Sequence, residues 1–196
     1  QHLARRGGEA VAGLRSEGVD ALVLGGAALG ALAYDDPATR PVHTVDLLVD
    51  PDAAVATWRH LERHGYRPRP APAPSVNRWW RAPDDGWYLR LRRPRTFDRG
   101  PLDVVVVHTT LAPELVVAAP AVADLSALWS SAVDLDLGEV VVRTPGPADH
   151  LLQTLLLLAD EGPGHLGRIV DARHLIDRAE RRDWEVLTTR AGRLRC

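Results

Sequence analysis

The feature that most constrains the fold is a short apolar strand followed at once by two glycines. Residues 21–24 are Ala-Leu-Val-Leu, and Gly25 and Gly26 precede an alanine-rich stretch. Glycines permit a tight turn here and let a following helix pack closely on the sheet. A second apolar strand at 44–49 carries one carboxylate, Asp46, among valines and leucines. Since burying an unpaired charge is costly, this carboxylate predicts either a strand-end hydrogen-bond partner or a functional site.

The rest of the chain predicts an α+β fold. Further strands are indicated by apolar runs and turn residues at 77–82, 87–93, 102–108 and 139–143, the first two forming a hairpin. Helices are predicted at 2–17, 27–34, 51–64, 121–131 and from 147 onward. This order predicts a mixed sheet flanked by helices, with an α/β core at 1–144 and a C-terminal helical region at 145–196 packed on it.

Composition restricts the classes of function. The 196 residues carry a net charge of -2, whereas proteins that bind nucleic acids broadly carry a basic face, so we expect no nucleic-acid partner. All 24 basic residues are arginine, which excludes a catalytic lysine. Cys196 is the single cysteine, and no apolar run is long enough to span a bilayer. These features predict a cytoplasmic protein without a membrane partner.

A set of short motifs in a fixed order resembles one protein family. The set comprises Leu24-Gly25-Gly26-Ala27-Ala28-Leu29, Tyr34, Arg40, Asp46-Leu47-Leu48-Val49, His108-Thr109-Thr110-Leu111, Trp129, Asp149-His150-Leu151-Leu152, the stretch 171–177 and Asp183-Trp184. In this order the motifs resemble the uncharacterised nucleotidyltransferases, which belong to the superfamily that includes aminoglycoside nucleotidyltransferases. The resemblance runs from about Gly18 to Trp184. It implies a nucleotidyltransferase-type mixed sheet followed by a C-terminal helical bundle.

The resemblance also implies a chemistry, metal-assisted phosphoryl transfer. In the family two glycines let the backbone approach the nucleotide phosphates, a role that would fall to Gly25 and Gly26. An Asp-x-Asp pair on the next strand holds Mg²⁺, and a third carboxylate on a neighbouring strand completes the site. In this chain the metal ligands would be Asp46 and Asp103, with Thr44 beside the cofactor. The implied cofactors are Mg²⁺ and ATP or another nucleoside triphosphate.

Two positions depart from the metal-binding pattern. Thr44 stands two residues before Asp46, where the family has its first aspartate, and a hydroxyl is a weaker magnesium ligand than a carboxylate. Val106 stands two residues before His108, where family members carry an acidic residue. Asp103 lies three residues earlier, and this odd offset puts it on the opposite face of a regular strand unless a bulge intervenes. The sequence therefore predicts a partly lost metal site.

Histidines offer an alternative chemistry. His43 lies just before Asp46, and His108 ends the valine-rich strand. Imidazole titrates near neutral pH, so either residue can act as a general acid or base. Either can also simply hydrogen-bond a loop.

A substrate pocket is predicted from aromatic and arginine side chains, because indole and guanidinium groups suit flat or anionic ligands. Its candidate members are Trp79, Trp80 and Trp87, and the family resemblance adds Tyr34 and Arg40. For the arginines of the hairpin an alternative is solvation, which the Leu-Arg alternation at 89–92 favours.

The sequence leaves two functions open. The first is a repurposed nucleotidyltransferase-fold protein that binds a small organic substrate, or transforms it by acid–base chemistry, the substrate being a specialised metabolite or a modified peptide. The second is a working Mg²⁺-dependent enzyme that moves a nucleotidyl group from a nucleoside triphosphate to a hydroxyl of a small molecule or peptide. A dinucleotide-binding fold is disfavoured, because Ala27 stands where that fingerprint has its middle glycine.

Overall fold

A mixed sheet forms the centre of the fold. The computed structural model describes residues 2–68, 79–81, 87–89, 95–99, 104–108, 125–161 and 165–194. Within these ranges the strands are β1 (Ala21–Leu24), β2 (Val45–Val49), β3 (Arg67–Pro68), β4 (Trp79–Arg81), β5 (Trp87–Leu89), β6 (Arg95–Asp98), β7 (Val104–His108), β8 (Val133–Leu137) and β9 (Val140–Thr144). Seven of these strands form one sheet in the order β3-β6-β7-β2-β1-β9-β8, and β4 pairs with β5.

Strand β2 lies at the middle of this sheet, between an antiparallel and a parallel neighbour. It pairs antiparallel with β1 and parallel with β7. In this register Asp46 lies opposite Leu24 on β1 and opposite Val106 on β7. Register partners on adjacent strands point to the same face, so the surroundings of Asp46 are set by these two strands.

Helices pack on the sheet, and three of them come after its last strand in the sequence. They are α1 (His2–Ser16), α2 (Gly25–Ala33), α3 (Ala54–Arg63), α4 (Ser126–Ser130), α5 (Pro147–Glu161), α6 (Leu166–Arg178) and α7 (Arg181–Leu194), with short 3₁₀ turns at Pro37–Thr39 and Pro51–Ala53. The C-terminal helices α5, α6 and α7 confirm the expected helical end of an α+β nucleotidyltransferase-type fold. None of the described helices is long and apolar enough to cross a membrane.

The two faces of strand β2 pack differently. One face is wholly apolar and is buried in a core cluster with Leu14 of α1 and Leu61 of α3. The residues of this face are Val45, Leu47 and Val49. The opposite face carries Leu48, which packs in a second cluster with Leu128 of α4, and Asp46. Because side chains alternate along a strand, Asp46 is the polar position on this second face.

The glycine pair belongs to helix α2, whereas the sequence predicted that the pair precedes this helix. Helix α2 begins at Gly25, not at residue 27, so both glycines belong to its first turn. Gly25 has a φ of 60°, a left-handed conformation that an L side chain rarely adopts. Glycine is therefore required at the point where strand β1 becomes helix α2.

The hairpin prediction is confirmed in its pairing, while strands β3, β6 and β8 were not predicted. Strands β4 and β5 pair antiparallel, with Trp80 opposite Tyr88; the turn between them lies outside the described residues. Strand β8 was not predicted, although residues 133–137 alternate between apolar and acidic side chains. This period-two pattern is typical of a half-exposed strand, and β8 indeed lies at the edge of the sheet.

Buried polar pairs attach the C-terminal helices to the core. Asp149 of α5 is 3% exposed and forms an ion pair with Arg190 of α7. Arg190 also donates to the hydroxyl of Ser131 at 2.8 Å. His150 is fully buried beside the hydroxyl of Thr144, at 2.7 Å, and burial lowers the pKa of His150 to about 4. These contacts fix α5 and α7 relative to the sheet.

Candidate functional site

Asp46 is the centre of the candidate site, because both of its carboxylate oxygens are engaged by neighbouring polar side chains. Oδ1 lies 2.8 Å from Nε2 of His108, at the end of strand β7. Oδ2 accepts a hydrogen bond of 2.9 Å from the hydroxyl of Thr44. The carboxylate side chain is 22% exposed and the imidazole is 14% exposed. The pair is therefore partly desolvated but still accessible to solvent.

The electrostatics of the site favour the ionised carboxylate. Burial of Asp46 opposes ionisation, but the hydrogen bond and the charge of His108 offset it. The hydrogen bond from Thr44 and the charge of Arg168 act in the same direction, so the pKa of Asp46 lies below its ordinary value. An ionised Asp46 accepts the Nε2 proton of His108. Nδ1 of His108 is buried and has no hydrogen-bond partner in the described part of the chain.

The first turn of helix α2 borders the same carboxylate. A methyl group built on Gly25 would lie 3.3 Å from Oδ2 of Asp46. Leu24 precedes the helix and supplies no side-chain hydrogen bond to its first N–H groups. Such N–H groups attract negative charge, since they form the positive end of the helix dipole. The structure thus brings together Gly25 and Asp46, two residues that the sequence assigned to one site.

Tyr34 and Arg40 converge on a buried carboxylate of helix α6. Nε and Nη2 of Arg40 donate to the two oxygens of Asp171 at 2.7 and 2.6 Å, and Tyr34 donates to the same carboxylate at 2.7 Å. Asp171 is 3% exposed. Burial and the hydrogen bond to Asp171 raise the pKa of Tyr34 to about 12, and its ring also contacts His174, with centroids 4.1 Å apart. Both predicted pocket residues therefore belong to a polar cluster that joins α2 to α6.

Sequence reasoning gave Asp171 no role, although a signal was present. Asp171 is followed by Ala172 and Leu175, which share its side of helix α6 and are both buried. A carboxylate on the apolar side of an amphipathic helix indicates a buried partner. What the sequence could not supply was the partner, since Arg40 lies 131 positions away.

The other predicted site residues either form no hydrogen bond with Asp46 or have side chains outside the described residues. His43 is exposed and makes no side-chain hydrogen bond within the described ranges. Asp103 lies outside the described residues. The side chains of Trp79, Trp80 and Trp87 lie outside them too, although their backbone forms strands β4 and β5.

Among the described residues, the side chains that contact Asp46 are a hydroxyl and an imidazole, and none of them is a second carboxylate. Thr44 contributes a hydroxyl, and Val106, the register partner of Asp46 on β7, contributes no ligand atom. In the part of the chain that the structure describes, no three His, Cys, Asp or Glu side chains are grouped as metal ligands would be. Oxygen-rich, anionic ligand sets are what Mg²⁺ requires. We therefore derive no chemical step through a metal ion.

Solved structures share this fold at low sequence identity. The antibiotic-resistance factor ANT(2'')-Ia in solution superposes with a TM-score of 0.61 at 16% identity, over 96% of this chain and 89% of that one. The complex of ANT(2'')-Ia with adenylyl-2''-tobramycin gives 0.60 at 17% identity, over 93% and 91%. An antigenic nucleotidyltransferase-like protein from Paracoccidioides brasiliensis gives 0.56 at 16% identity, over 97% and 87%. At such identities the likeness concerns the fold alone.

At the level of sequence, no curated protein matches the chain significantly. The family described as uncharacterised nucleotidyltransferase, in contrast, matches residues 2–196, nearly the whole length. Together with the strand–Gly-Gly–helix unit and the Asp-bearing strand, this match settles the assignment: the chain belongs to the uncharacterised nucleotidyltransferase family.

Proposed function

We propose that this protein uses the nucleotidyltransferase cleft for acid–base chemistry on a small organic substrate, with Asp46 and His108 as the working pair. The observation that carries the proposal is the double engagement of Asp46, by His108 at Oδ1 and by Thr44 at Oδ2. A specialised metabolite or a modified peptide is the expected class of substrate.

The pair has the properties that proton transfer requires. Nε2 of His108 and Oδ1 of Asp46 lie 2.8 Å apart, within normal hydrogen-bond distance. An ionised carboxylate at this distance orients the imidazole ring. Asp46 is partly exposed, so a substrate can reach its carboxylate, whereas Nδ1 of His108 is buried. These residues can bind, orient and exchange a proton with a substrate, without help from another group.

The loss of metal ligands supports the same proposal. Thr44 and Val106 stand on the face of Asp46, at the two positions where further carboxylates would complete a metal site. With a neutral hydroxyl and an isopropyl group at these positions, Asp46 is the one carboxylate that the described residues offer here to a divalent cation, and it is already bound by His108.

Metal-dependent nucleotidyl transfer is the second candidate, and two observations favour it. The chain belongs to a nucleotidyltransferase family, and the first turn of α2 lies against Asp46 as a phosphate-binding turn would. Under this alternative Mg²⁺ and a nucleoside triphosphate would be needed, with Asp46 and Thr44 among the ligands and Asp103 as a further carboxylate. The acceptor would be a hydroxyl of a small molecule or peptide.

Isothermal titration calorimetry with ATP, in the presence and absence of Mg²⁺, separates the two candidates. We expect no Mg²⁺-dependent binding of ATP in the micromolar range, and no difference between the wild type and Asp46→Ala. Micromolar binding that needs Mg²⁺ and disappears in Asp46→Ala would establish the second candidate instead. Asp134→Ala, an exposed substitution on strand β8, is the matched control for loss of a carboxylate.

Nuclear magnetic resonance tests the pair directly. In the wild type the ¹⁵N shifts of the His108 ring should show a proton on Nε2, because Asp46 accepts it. Asp46→Asn should change the tautomer or the titration of His108 and leave His174 unaffected. An unchanged His108 in that variant would contradict the proposed pairing.

A further inference from the structure

Strands β1 and β9 run parallel, and their hydrogen-bond ladder reaches a proline at its end. Leu22 is the register partner of Arg143. Val23 and Thr144, the next residues of the two strands, therefore lie side by side. In a parallel ladder the carbonyl oxygen of Val23 would accept from the N–H of the residue that follows Thr144. That residue is Pro145, which has no N–H, so the ladder lacks a backbone donor at this point.

The side chain of Thr144 supplies the missing donor. Its hydroxyl group donates to the carbonyl oxygen of Val23 at 2.7 Å. Both residues are fully buried, and a buried carbonyl group without a partner would destabilise the fold. The Thr144 hydroxyl group therefore takes the place of the N–H that Pro145 lacks.

His150 of helix α5 fixes the direction of this hydroxyl group. Its Nε2 lies 2.7 Å from Oγ1 of Thr144. A hydroxyl group has one proton to donate, and this one donates it to Val23, so Oγ1 accepts from His150 and Nε2 carries a proton. Burial lowers the pKa of His150 to about 4, so the ring is neutral near pH 7 and Nδ1 is unprotonated. The contacts thus select one tautomer of His150.

The carbonyl group of Val23 lies one residue away from the contact with the Asp46 strand. Backbone polar groups alternate in direction along a strand, so those of Val23 point to β9 and those of Leu24 point to β2. On β2 the register partner of Leu24 is Asp46. The next residue is Gly25, where strand β1 becomes helix α2. The hydrogen bond from Thr144 therefore sets the position of the end of β1, against which Asp46 and the start of α2 lie.

We propose that His150 is a positioning residue for the Asp46 site. Held as the Nε2–H tautomer, it directs the hydroxyl group of Thr144 to Val23 and so fixes the end of strand β1. The inference rests on the proposed function in taking Asp46 as the working carboxylate, and it gives His150 no contact with a substrate.

The tautomer of His150 is measured in the wild type, independently of any variant. At neutral pH the ¹⁵N shifts of its ring should show a proton on Nε2 and none on Nδ1. A proton on Nδ1 would overturn the proposal, because Thr144 would then have no proton to accept from His150.

Substitutions at both ends of the contact test its effect on the site. Thr144→Val removes the hydroxyl group at nearly constant volume, and we expect it to shift the amide resonances of Gly25 and Gly26 and the ring resonances of His108. His150→Leu should shift the same resonances, and the double variant should shift them no further. Thr144→Ser keeps the hydroxyl group, and His150→Gln offers an amide N–H in place of Nε2–H. These two conservative variants should retain the wild-type resonance positions.

Leu156→Ala is the matched control for a general loss of packing. Leu156 belongs to the same helix and is 7% exposed, so its truncation should lower the thermal midpoint without shifting the resonances of Gly25 or His108. The proposal is contradicted if Thr144→Val leaves these resonances in place, or if Leu156→Ala shifts them equally. The shifts report the position of the end of β1, and none of them depends on catalysis or nucleotide binding. Failure of the Asp46–His108 proposal in calorimetry would therefore leave this test intact, and the reverse also holds.

Discussion

Two histidine–carboxylate pairs in this molecule have nearly the same contact distance and very different surroundings. His108 meets Asp46 at 2.8 Å in the cleft, through Nε2. His60 meets Glu17 at 2.9 Å where helices α1 and α3 meet, through Nδ1. The contact itself does not distinguish a candidate active site from a packing interaction, so the neighbours of each pair must do so.

At the helix junction the histidine is the buried partner. His60 is 3% exposed and packs against Gly13 of α1, where a methyl group would lie 2.8 Å from its Cε1 and Nε2. Its ring stacks on His64 at 4.1 Å, and Glu17 is also bound by Arg63. Every contact of this cluster joins one helix to another or one turn to the next, so the pair stabilises packing.

In the cleft the carboxylate is the central partner. Asp46 lies on a strand between β1 and β7, next to the first turn of α2 and within electrostatic reach of Arg40 and Arg168. The polar groups converge on one open corner instead of joining two helices. This convergence, and not the hydrogen bond alone, is the reason for proposing a functional role for the pair.

Removing each histidine should give the largest difference between the two pairs. His60→Ala leaves a cavity between α1 and α3, and we expect it to lower the free energy of unfolding by about 3 kcal/mol. His108→Ala empties a site that is open to the cleft, and we expect a loss of about 1 kcal/mol. Urea denaturation of both variants measures this difference. An equal or larger loss in His108→Ala would assign a structural role to the cleft pair as well.

Restoring carboxylates should affect the cleft pair alone. Thr44→Asp together with Val106→Asp would surround Asp46 with the ligands that the family pattern expects. We predict that Mn²⁺ affinity, measured by electron paramagnetic resonance, rises by about a hundredfold over the wild type, since carboxylate count governs affinity for hard cations. The same double substitution with Asp46→Asn is the control and should lose most of the gain. Unchanged Mn²⁺ affinity would mean that these two positions do not face a common ion.

Alanine substitutions at the glycines beneath each pair should have smaller effects. Gly13→Ala crowds His60 and should cost about 2 kcal/mol of stability. Gly25→Ala imposes a φ of 60° on alanine and should cost about 1 kcal/mol, with an added effect on Asp46, which lies 3.3 Å away. Gly18 has a φ of 78° with nothing within 4 Å, so Gly18→Ala measures backbone strain alone.

Gly25→Ala and Gly18→Ala should also differ in a second measurement, the ring resonances of His108. Gly25→Ala should shift the ring resonances of His108, whereas Gly18→Ala should leave them in place. If both substitutions leave His108 unchanged, Gly25 matters to the backbone only and not to the position of Asp46.

How much of this arrangement the sequence could predict depends on the distance along the chain between the partners. The glycine pair, strand β2 and helix α1 follow from local patterns, because strand and helix periodicity and turn residues act over a few positions. The isolated carboxylate of Asp46 within an apolar strand correctly indicated a partner. That Val106 lies beside it was inferred from the family spacing and agrees with the parallel register of β2 and β7.

The partners themselves were not predictable, since they depend on strand register and helix docking. His108 meets Asp46 across 62 positions, and Asp171 meets Arg40 across 131. No local pattern encodes which of several histidines lies opposite a given strand residue. For the same reason Arg40 and Tyr34 were predicted as pocket residues from the family resemblance, whereas their shared contact with Asp171 emerged only from the fold.

Acid titration should give the smallest difference and compares the two carboxylates directly. The contacts with His108 hold the pKa of Asp46 below its ordinary value, and the hydrogen bond from His60 holds the pKa of Glu17 below its own. In each case the unfolded chain takes up its proton at a higher pH than the folded chain. The stability from each ionised carboxylate is therefore complete above the unfolded pKa, about 4, and is lost as the pH falls through the folded pKa.

The difference in free energy of unfolding between the wild type and Asp46→Asn should accordingly decrease as the pH falls from about 5 to about 2. Glu17→Gln should show the same direction with a smaller amplitude, because Glu17 is 30% exposed and its charge is more screened by solvent. The folded pKa of His150 is about 4, below its ordinary value of 6.5. Its protonation therefore lowers the free energy of unfolding between about pH 6.5 and 4, equally in the wild type and in both variants. This shared loss cancels when each variant is compared with the wild type. Urea denaturation at stepwise pH measures all three proteins. A larger acid-dependent change in Glu17→Gln would reverse the comparison, because the helix junction would then hold the more strongly coupled pair.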